Sequence, residues 1–255
     1  MPVRASRPLN APAHGRDEIS VDVGRRLAAL DWAEIERSLW EVGSAKTPPI
    51  LTPAECAGLI ELYDDESRFR SRIDMARYRF GVGDYKYFAH PLPPIVSALR
   101  TEAYERLAPI ANGWAQALGT SIRFPPTLGA LQAVCARHGQ TKPTPLLLHY
   151  EVGGYNCLHQ DLYGEIAFPL QLTVFLSRRG AEYQGGEFLL LEQRPRAQSR
   201  ADVLTTEQGE IVIFTTRYRP ARGAHGYHRV TMRHGVSRLR SGHRQTLGLI
   251  FHDAR

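Results

Sequence analysis

The sequence predicts an α+β fold, with helices in the first half of the chain bracing a jelly-roll β core formed by the second. Two observations carry this. Up to about His138, apolar residues recur at helical spacing between recognisable caps; from Leu146 onward they fall in short runs broken by glycine and polar turns, the texture of a sandwich or barrel. Helices followed by strands, rather than alternating with them, put the two kinds of element in separate layers. The 255 residues are enough for a full core and no shift in composition divides them. One domain is therefore expected over 18–255, with a helical and lid part over 18–144 and the jelly roll over 145–255.

Met1 to Arg16 combine Pro, Ala and Arg without a continuous apolar stretch, so 1–17 read as a flexible tail rather than a secretory signal. Asp31 to Val42 place Trp32, Ile35 and Leu39 on one helical face, with Gly43 as the stop. Thr52-Pro53-Ala54-Glu55 is a capping box with proline at the first helical position, opening a helix to about Tyr63. Pro93 to Leu118 and Leu128 to His138 read as two more helices. Strands are expected over Phe168–Ser177, after the Gly185-Gly186 turn, over Gly209–Phe214, from His228, and over Arg244–Phe251.

Composition narrows the class of protein. Hydrophobic content of 43% is ordinary for a globular chain, and no apolar run approaches a membrane span. Cys56, Cys135 and Cys157 are few, odd in number and widely spaced, which points to a reducing compartment, the cytoplasm, without a disulfide framework. The net charge is +6, and between Arg178 and Arg244 there are 13 arginines against 6 acids. Such clusters suit phosphate contact, although a preference for arginine codons would give the same count.

His159 and Asp161 are the most informative pair. Alternate residues of a strand point the same way, so imidazole and carboxylate can grip one cation from one face. With a second histidine from another strand they would make the two-His-one-carboxylate facial arrangement that suits iron(II) and leaves its other face open. His228, opening a strand-like run, is the candidate. His225 competes from a glycine-rich loop and reads as a supporting residue. His234 and His243 flank a basic turn and read as solvated, while His149 reads as core or as support for the site. The segment Ser67 to Phe88 interleaves six basic residues and six aromatics with only two acids. Arginines reach phosphates and aromatic faces stack bases, so it reads as a lid over an extruded nucleotide, with Arg77, Tyr78, Arg79, Tyr85 and Tyr87 as contacts. A hairpin with half-buried aromatics and a solvated basic face would have the same composition.

The order of these features resembles the iron(II)/2-oxoglutarate-dependent dioxygenases. His-x-Asp is followed by an apolar strand, the Gly185-Gly186-Glu187-Phe188 turn, a strand ending at Phe214, His228-Arg229-Val230, and Gly242-His243-Arg244-Gln245-Thr246. Ile73-Asp74-Met75-Ala76-Arg77, Tyr85-Lys86-Tyr87-Phe88 and His159-Gln160-Asp161-Leu162-Tyr163-Gly164-Glu165 resemble, more narrowly, a bacterial family linked to oxidative demethylation of damaged DNA and AlkB-like in function. The resemblance implies a double-stranded β-helix, with iron(II), 2-oxoglutarate and dioxygen at the site. It implies His159, Asp161 and His228 as metal ligands and Arg244 on the distal carboxylate of 2-oxoglutarate, with Thr246 on the same strand face able to donate a hydroxyl; Arg238 and Arg240 are rivals to Arg244 but precede Ser241-Gly242 in an expected turn. Tyr155, four residues before His159, reads as a further hydrogen-bond donor to the co-substrate or as core packing. The implied partner is alkylated DNA, as a single strand or a flipped base. Ile250 stands where AlkB-type enzymes carry a second arginine, so the detailed geometry of that enzyme does not transfer. Two other readings fit the same residues: a hydroxylase of a small molecule or protein side chain, and a non-catalytic jelly-roll binding module.

Overall fold

The computed structural model describes residues 22–194 and 196–255; the expected tail over 1–17 lies outside them. The helices form where their signals stand. After a helical segment α1 over 22–28 comes α2 (Trp32–Val42). Asp31 caps its first turn through the Glu34 N–H, and Gly43 ends it at φ 80°, a left-handed conformation glycine adopts without cost. In α3 (Pro53–Glu61) the Thr52–Glu55 capping box forms in both directions, and a 3₁₀ turn, Leu62–Asp64, continues it. The long α4 (Pro94–Ala117) buries Val96, Leu99, Ala103, Leu107, Ala111 and Trp114 along one stripe, and α5 is Leu128–Arg137.

Among the described residues fifteen strands accompany the helices. In the first half they are β1 (Ser44–Lys46), β2 (Phe69–Asp74), β3 (Gly81–Val82) and β4 (Asp84–Phe88). The second half supplies β5 (Leu146–Tyr150), β6 (Tyr155–His159), β7 (Leu170–Phe175), β8 (Tyr183–Gly185), β9 (Phe188–Gln193), β10 (Arg200–Leu204) and β11 (Ile211–Thr215). The last are β12 (Tyr218–Gly223), β13 (Gly226–Val236), β14 (Leu239–Gly242) and β15 (Arg244–Ile250). A seven-stranded sheet runs β1-β11-β7-β15-β5-β4-β2 and a second runs β10-β9-β13-β6-β3, with β12 beside β13. All pairings between these strands are antiparallel.

The boundary expected at 144/145 is not a structural one, because β1, β2 and β4 complete the major sheet and β3 joins the minor one. Most of the expected lid is therefore sheet. Phe69 stacks on Phe88 at 4.9 Å between ring centroids, and the connection from β2 to β4 holds buried Met75, a 3₁₀ turn over Ala76–Tyr78 and β3.

Strand alternation gives the major sheet two chemically distinct faces. Leu147, Leu170, Leu172, Val174, Leu247 and Leu249 join Leu99, Tyr104, Leu107 and Trp114 of α4 in the main core. Each such leucine or valine contributes roughly 1.5–3 kcal/mol by burial. On the other face Phe175 and Phe214 meet Phe188 and Leu190 of the minor sheet and close one end of the space between the sheets. Met75, Tyr150, Tyr183, Val236 and Leu239 close another part of it. What remains open between them is the site.

Candidate active site

A cavity of about 450 Å³ lies between the sheets, lined by residues from both, a volume suited to a small-molecule ligand. On the major-sheet side the register puts Arg244 opposite Tyr150, Thr246 opposite Leu148 and Phe175, and Gly248 opposite Thr173. Arg244, Thr246, Gly248 and Ile250 thus present alternate positions of β15 to the cavity, next to Gln171 and Thr173 of β7. On the minor-sheet side stand His159 at the end of β6, Asp161 just beyond it, and His234 of β13.

His159, Asp161 and His234 each offer one donor atom within 4.8 Å of the others. Asp161 stands 3.5 Å from the Nε2 of His159 and 3.1 Å from that of His234, and Tyr163 Oη donates to its Oδ1 at 2.8 Å. Burial alone would raise the Asp161 carboxyl, but His234, His159 and the Tyr163 hydroxyl outweigh it and hold the group well below the usual carboxylate range. Burial and the neighbouring His159 push His234 downward, so it stays neutral and free to donate its lone pair. Asp161 is thus a carboxylate and His234 a neutral imidazole at ordinary pH, the forms a metal requires.

Here the structure corrects the sequence reading. His228 is exposed on the outer part of the β12–β13 hairpin, opposite Ala221, and His225 is exposed in its turn. His234, expected to be solvated, is buried, with Phe214 at 4.7 Å and Phe188 at 6.0 Å between ring centroids. The two candidates are six residues apart on one strand and share its alternation. About 20 Å of strand nevertheless separates them at 3.3 Å per residue. Pairing decides between them: His234 is in register with His159.

Arg244 is buried, and none of its three guanidinium nitrogens has a hydrogen-bond partner. Its Cζ sits between Tyr150 and Phe175, 5.5 and 5.4 Å from their ring centroids. A Cβ on Gly186 would stand 2.9 Å from the Arg244 Cδ, so glycine there leaves the room the side chain occupies. A buried cation with no counter-ion is expensive, and its presence beside a cavity calls for an anionic ligand. Thr246 lines the same space, as does Gln171, whose buried Nε2 also has no partner. Tyr155 does not line it; Arg238 lies 5.2 Å over its ring. Tyr150 and Tyr85 line it instead.

The proposed nucleotide contacts separate into two groups. Tyr87 is buried against Tyr85 and Tyr163 with Arg70 4.4 Å over its ring, so it packs rather than stacks a base. Tyr85 and Arg79 line the cavity together with Phe80, while Arg77 and Tyr78 lie on the adjoining outer surface. Tyr78 and Phe80 are exposed and stacked at 5.6 Å with 19° between planes. Arg79, at φ 60°, takes the left-handed conformation that turns the chain between them. The apolar run of β7 around Gln171 could have identified that residue; no local signal separates His234 from His228, which share a face of β13.

The two antiparallel sheets, the His-x-Asp with a distal histidine and the unpaired arginine on the last long strand define an oxygenase of the double-stranded β-helix class. Iron(II), 2-oxoglutarate and dioxygen, the set used by that class, fit the donor atoms and the orphaned guanidinium described above. Residues 83–254 match the Oxygenase-NA family, described as "Oxygenase, catalysing oxidative methylation of damaged DNA", and the chain belongs to that family. It is 47% identical over 167 residues to an uncharacterised protein of Mycobacterium tuberculosis, covering 66% of this chain and 72% of that one. In fold it is similar to a 2OG-Fe(II) oxygenase-family oxidoreductase from Burkholderia pseudomallei, with TM-score 0.50 and 16% identity over 88% of this chain and 92% of that one. It is also similar to a prolyl hydroxylase in complex with a hypoxia inducible factor peptide fragment, from Trichoplax adhaerens, with TM-score 0.51 and 12% identity over 96% and 94% of the two chains. Among the described residues no helix is long and apolar enough to cross a membrane.

Proposed function

We propose that this protein is an iron(II)/2-oxoglutarate-dependent oxygenase that removes methyl groups from alkylated bases in DNA. The observation that carries the substrate class is that Arg79 and Phe80 line the cavity that holds the metal-type triad, while exposed Tyr78, stacked on Phe80, and Arg77 continue the basic-aromatic strip onto a separate outer surface. Aromatic faces hold an unstacked base whatever its sequence, and flanking guanidiniums take the phosphates. The family description, with its damaged DNA, supports the same reading.

In this reading His159, Asp161 and His234 would hold iron(II), and Arg244 would pair its guanidinium with the distal carboxylate of 2-oxoglutarate, aided by Thr246 and Gln171. Iron(II) with 2-oxoglutarate and dioxygen supplies the oxidation of a substrate C–H to C–OH, with succinate and carbon dioxide as the other products. On an N-methyl base, the resulting N–CH2OH group breaks its C–N bond and leaves as formaldehyde, with the proton returned to the base nitrogen. The chain's own part is positioning. Tyr163 and His234 keep Asp161 ionised and oriented, the Phe188–Phe214 wall keeps water from one side of His234, and Tyr85 and Arg79 border the space through which a base would enter.

The test is formaldehyde and succinate release from single-stranded oligonucleotides carrying N-methylated bases, run beside a panel of small-molecule and peptide substrates. Formaldehyde is expected with the methylated strand only. Arg77→Glu with Arg79→Glu should weaken oligonucleotide binding and flatten its salt dependence, since each neutralised phosphate releases counter-ions, while succinate release without substrate persists. Absence of both low-salt DNA binding and formaldehyde release, with turnover stimulated by a peptide or metabolite, would replace DNA by that substrate class.

A further inference from the structure

On the opposite face of the sheet that carries Arg244, His149, Glu151 and His243 bring three donor atoms within 4.8 Å of one another. We propose that they form a second metal site, a zinc site separate from the triad in the cavity. The register explains how the three meet. Arg244 pairs with Tyr150 and Gln245 with His149 across β15 and β5, so one step further along the antiparallel pair His243 comes opposite Glu151. Tyr150 and Arg244 point into the cavity. By alternation His149, Glu151 and His243 point the other way.

Three features make the group more than a chance surface cluster. His149 is held in place: its Nδ1 lies 3.4 Å from Asp84 Oδ1, and its ring packs 5.4 Å from that of Tyr63. Asp84 is itself fixed by the Tyr63 hydroxyl and by Arg72 Nε at 2.9 Å. A carboxylate on one ring nitrogen orients the imidazole and makes the other nitrogen, Nε2, a better ligand, the arrangement found behind metal-bound histidines. His243 is placed by its neighbour. Gly242 has φ 76°, and a Cβ there would stand 1.8 Å from the Glu182 carbonyl oxygen, so only glycine admits this turn into β15. The rings of His149 and His243 are then nearly parallel, 7° between planes and 6.1 Å between centroids.

The donor set suits zinc. Two neutral imidazoles and one carboxylate, with a fourth position open to water, are a known zinc complement, with ligands at about 2.0–2.2 Å. Glu151 and His243 are exposed, and rotation of their side chains closes the remaining gap while His149 stays fixed. An anion-binding arginine of the Arg244 kind serves the cavity on the other face.

Metal-free full-length protein titrated with Zn²⁺ by calorimetry should bind two equivalents, one at each triad. His159→Ala with His234→Ala should leave one equivalent, and so should His149→Ala with His243→Ala; the fourfold variant should bind at least 100-fold more weakly. Asp84→Asn should weaken only the second site, by about 10–100-fold. Co²⁺ bound to the His159→Ala/His234→Ala variant should show the intense visible absorption of a tetrahedral site, and the exposed substitutions Glu151→Gln and His243→Asn, which touch no core, should each remove it. The proposal is overturned if the His159→Ala/His234→Ala variant binds no zinc. It is equally overturned if Glu151→Gln and His243→Asn leave zinc affinity and the Co²⁺ spectrum unchanged.

Discussion

His234 on β13 pairs directly across the minor sheet from His159 on β6, with ring centroids 4.1 Å apart. Asp161 reaches both rings from just beyond the end of β6. The first prediction follows from this pairing. His159→Ala, Asp161→Ala and His234→Ala should each abolish succinate formation and reduce iron in anaerobically purified protein, whereas His228→Ala, exposed on the hairpin, should retain both. Iron content and succinate yield measured together check it. An inactive, iron-poor His228→Ala beside an active His234→Ala would restore the assignment drawn from sequence alone.

Local signals wrote most of the fold plainly into the sequence. The Asp31 cap, the Gly43 stop and the Thr52–Glu55 capping box act within a few residues, and the helices they bound stand where expected. Two of the three residues of the metal-type triad were legible for the same reason, because His159 and Asp161 sit two apart on one stretch. What was not legible depends on register, which no local signal sets. Both His228 and His234 lie on the same face of β13, and the sequence around His228 resembled a family motif more closely. The strand's unexpected length of 11 residues carried the first out to solvent and the second into the cavity. The basic-aromatic segment misled in a related way. Its composition suits a lid, but cross-strand partners Phe88 and Tyr87 on β4 and Leu146 on β5 turn most of it into sheet. Tyr155 failed by distance along the strand: it stands at the opposite end of β6 from His159 and does not line the cavity, although the two share a parity.

Arg100 links the helical layer to the end of β15. Its Nε and Nη2 donate to the carbonyls of Ile250 and Phe251 at 3.0 and 2.8 Å, and Nη2 pairs with Asp253 at 2.7 Å, all buried. Arg100→Met should cost roughly 3–5 kcal/mol in urea unfolding, because it strands the Asp253 carboxylate. Arg100→Met with Asp253→Leu should recover a large part of that loss. Equal destabilisation in the single and double variants would mean that the carbonyl contacts, not the ion pair, hold this corner.

His252 makes stability depend on pH. It is fully buried, and its Nδ1 accepts the Phe168 N–H at 3.1 Å, so the folded protein requires the neutral ring. Burial pushes its pKa from 6.5 down to about 4. In the unfolded chain the ring takes a proton below about 6.5, so the contribution is fully present above that pH and is lost as pH falls toward 4. The loss is on the order of 3 kcal/mol. Unfolding of metal-free protein between pH 7 and 4.5 should therefore weaken more steeply in the natural chain than in His252→Asn. Parallel pH profiles for the two would show that His252 is not the group responsible.

Arg244 should separate co-substrate binding from metal binding. Its three unpartnered nitrogens face a cavity with no carboxylate of the chain beside them except Asp161, which His159, His234 and Tyr163 already engage. Arg244→Ala removes the only buried cation among the cavity-lining residues, and should weaken 2-oxoglutarate binding by roughly 2–5 kcal/mol, seen as a raised Michaelis constant in succinate assays. Iron content should be unchanged, because the triad stands on the other sheet. Arg244→Lys should recover only part of the loss: a single ammonium cannot reproduce the paired geometry of a guanidinium on a carboxylate, nor lie flat between Tyr150 and Phe175. Natural 2-oxoglutarate affinity in Arg244→Ala would rule out this role and leave the buried guanidinium to be matched with a different anion.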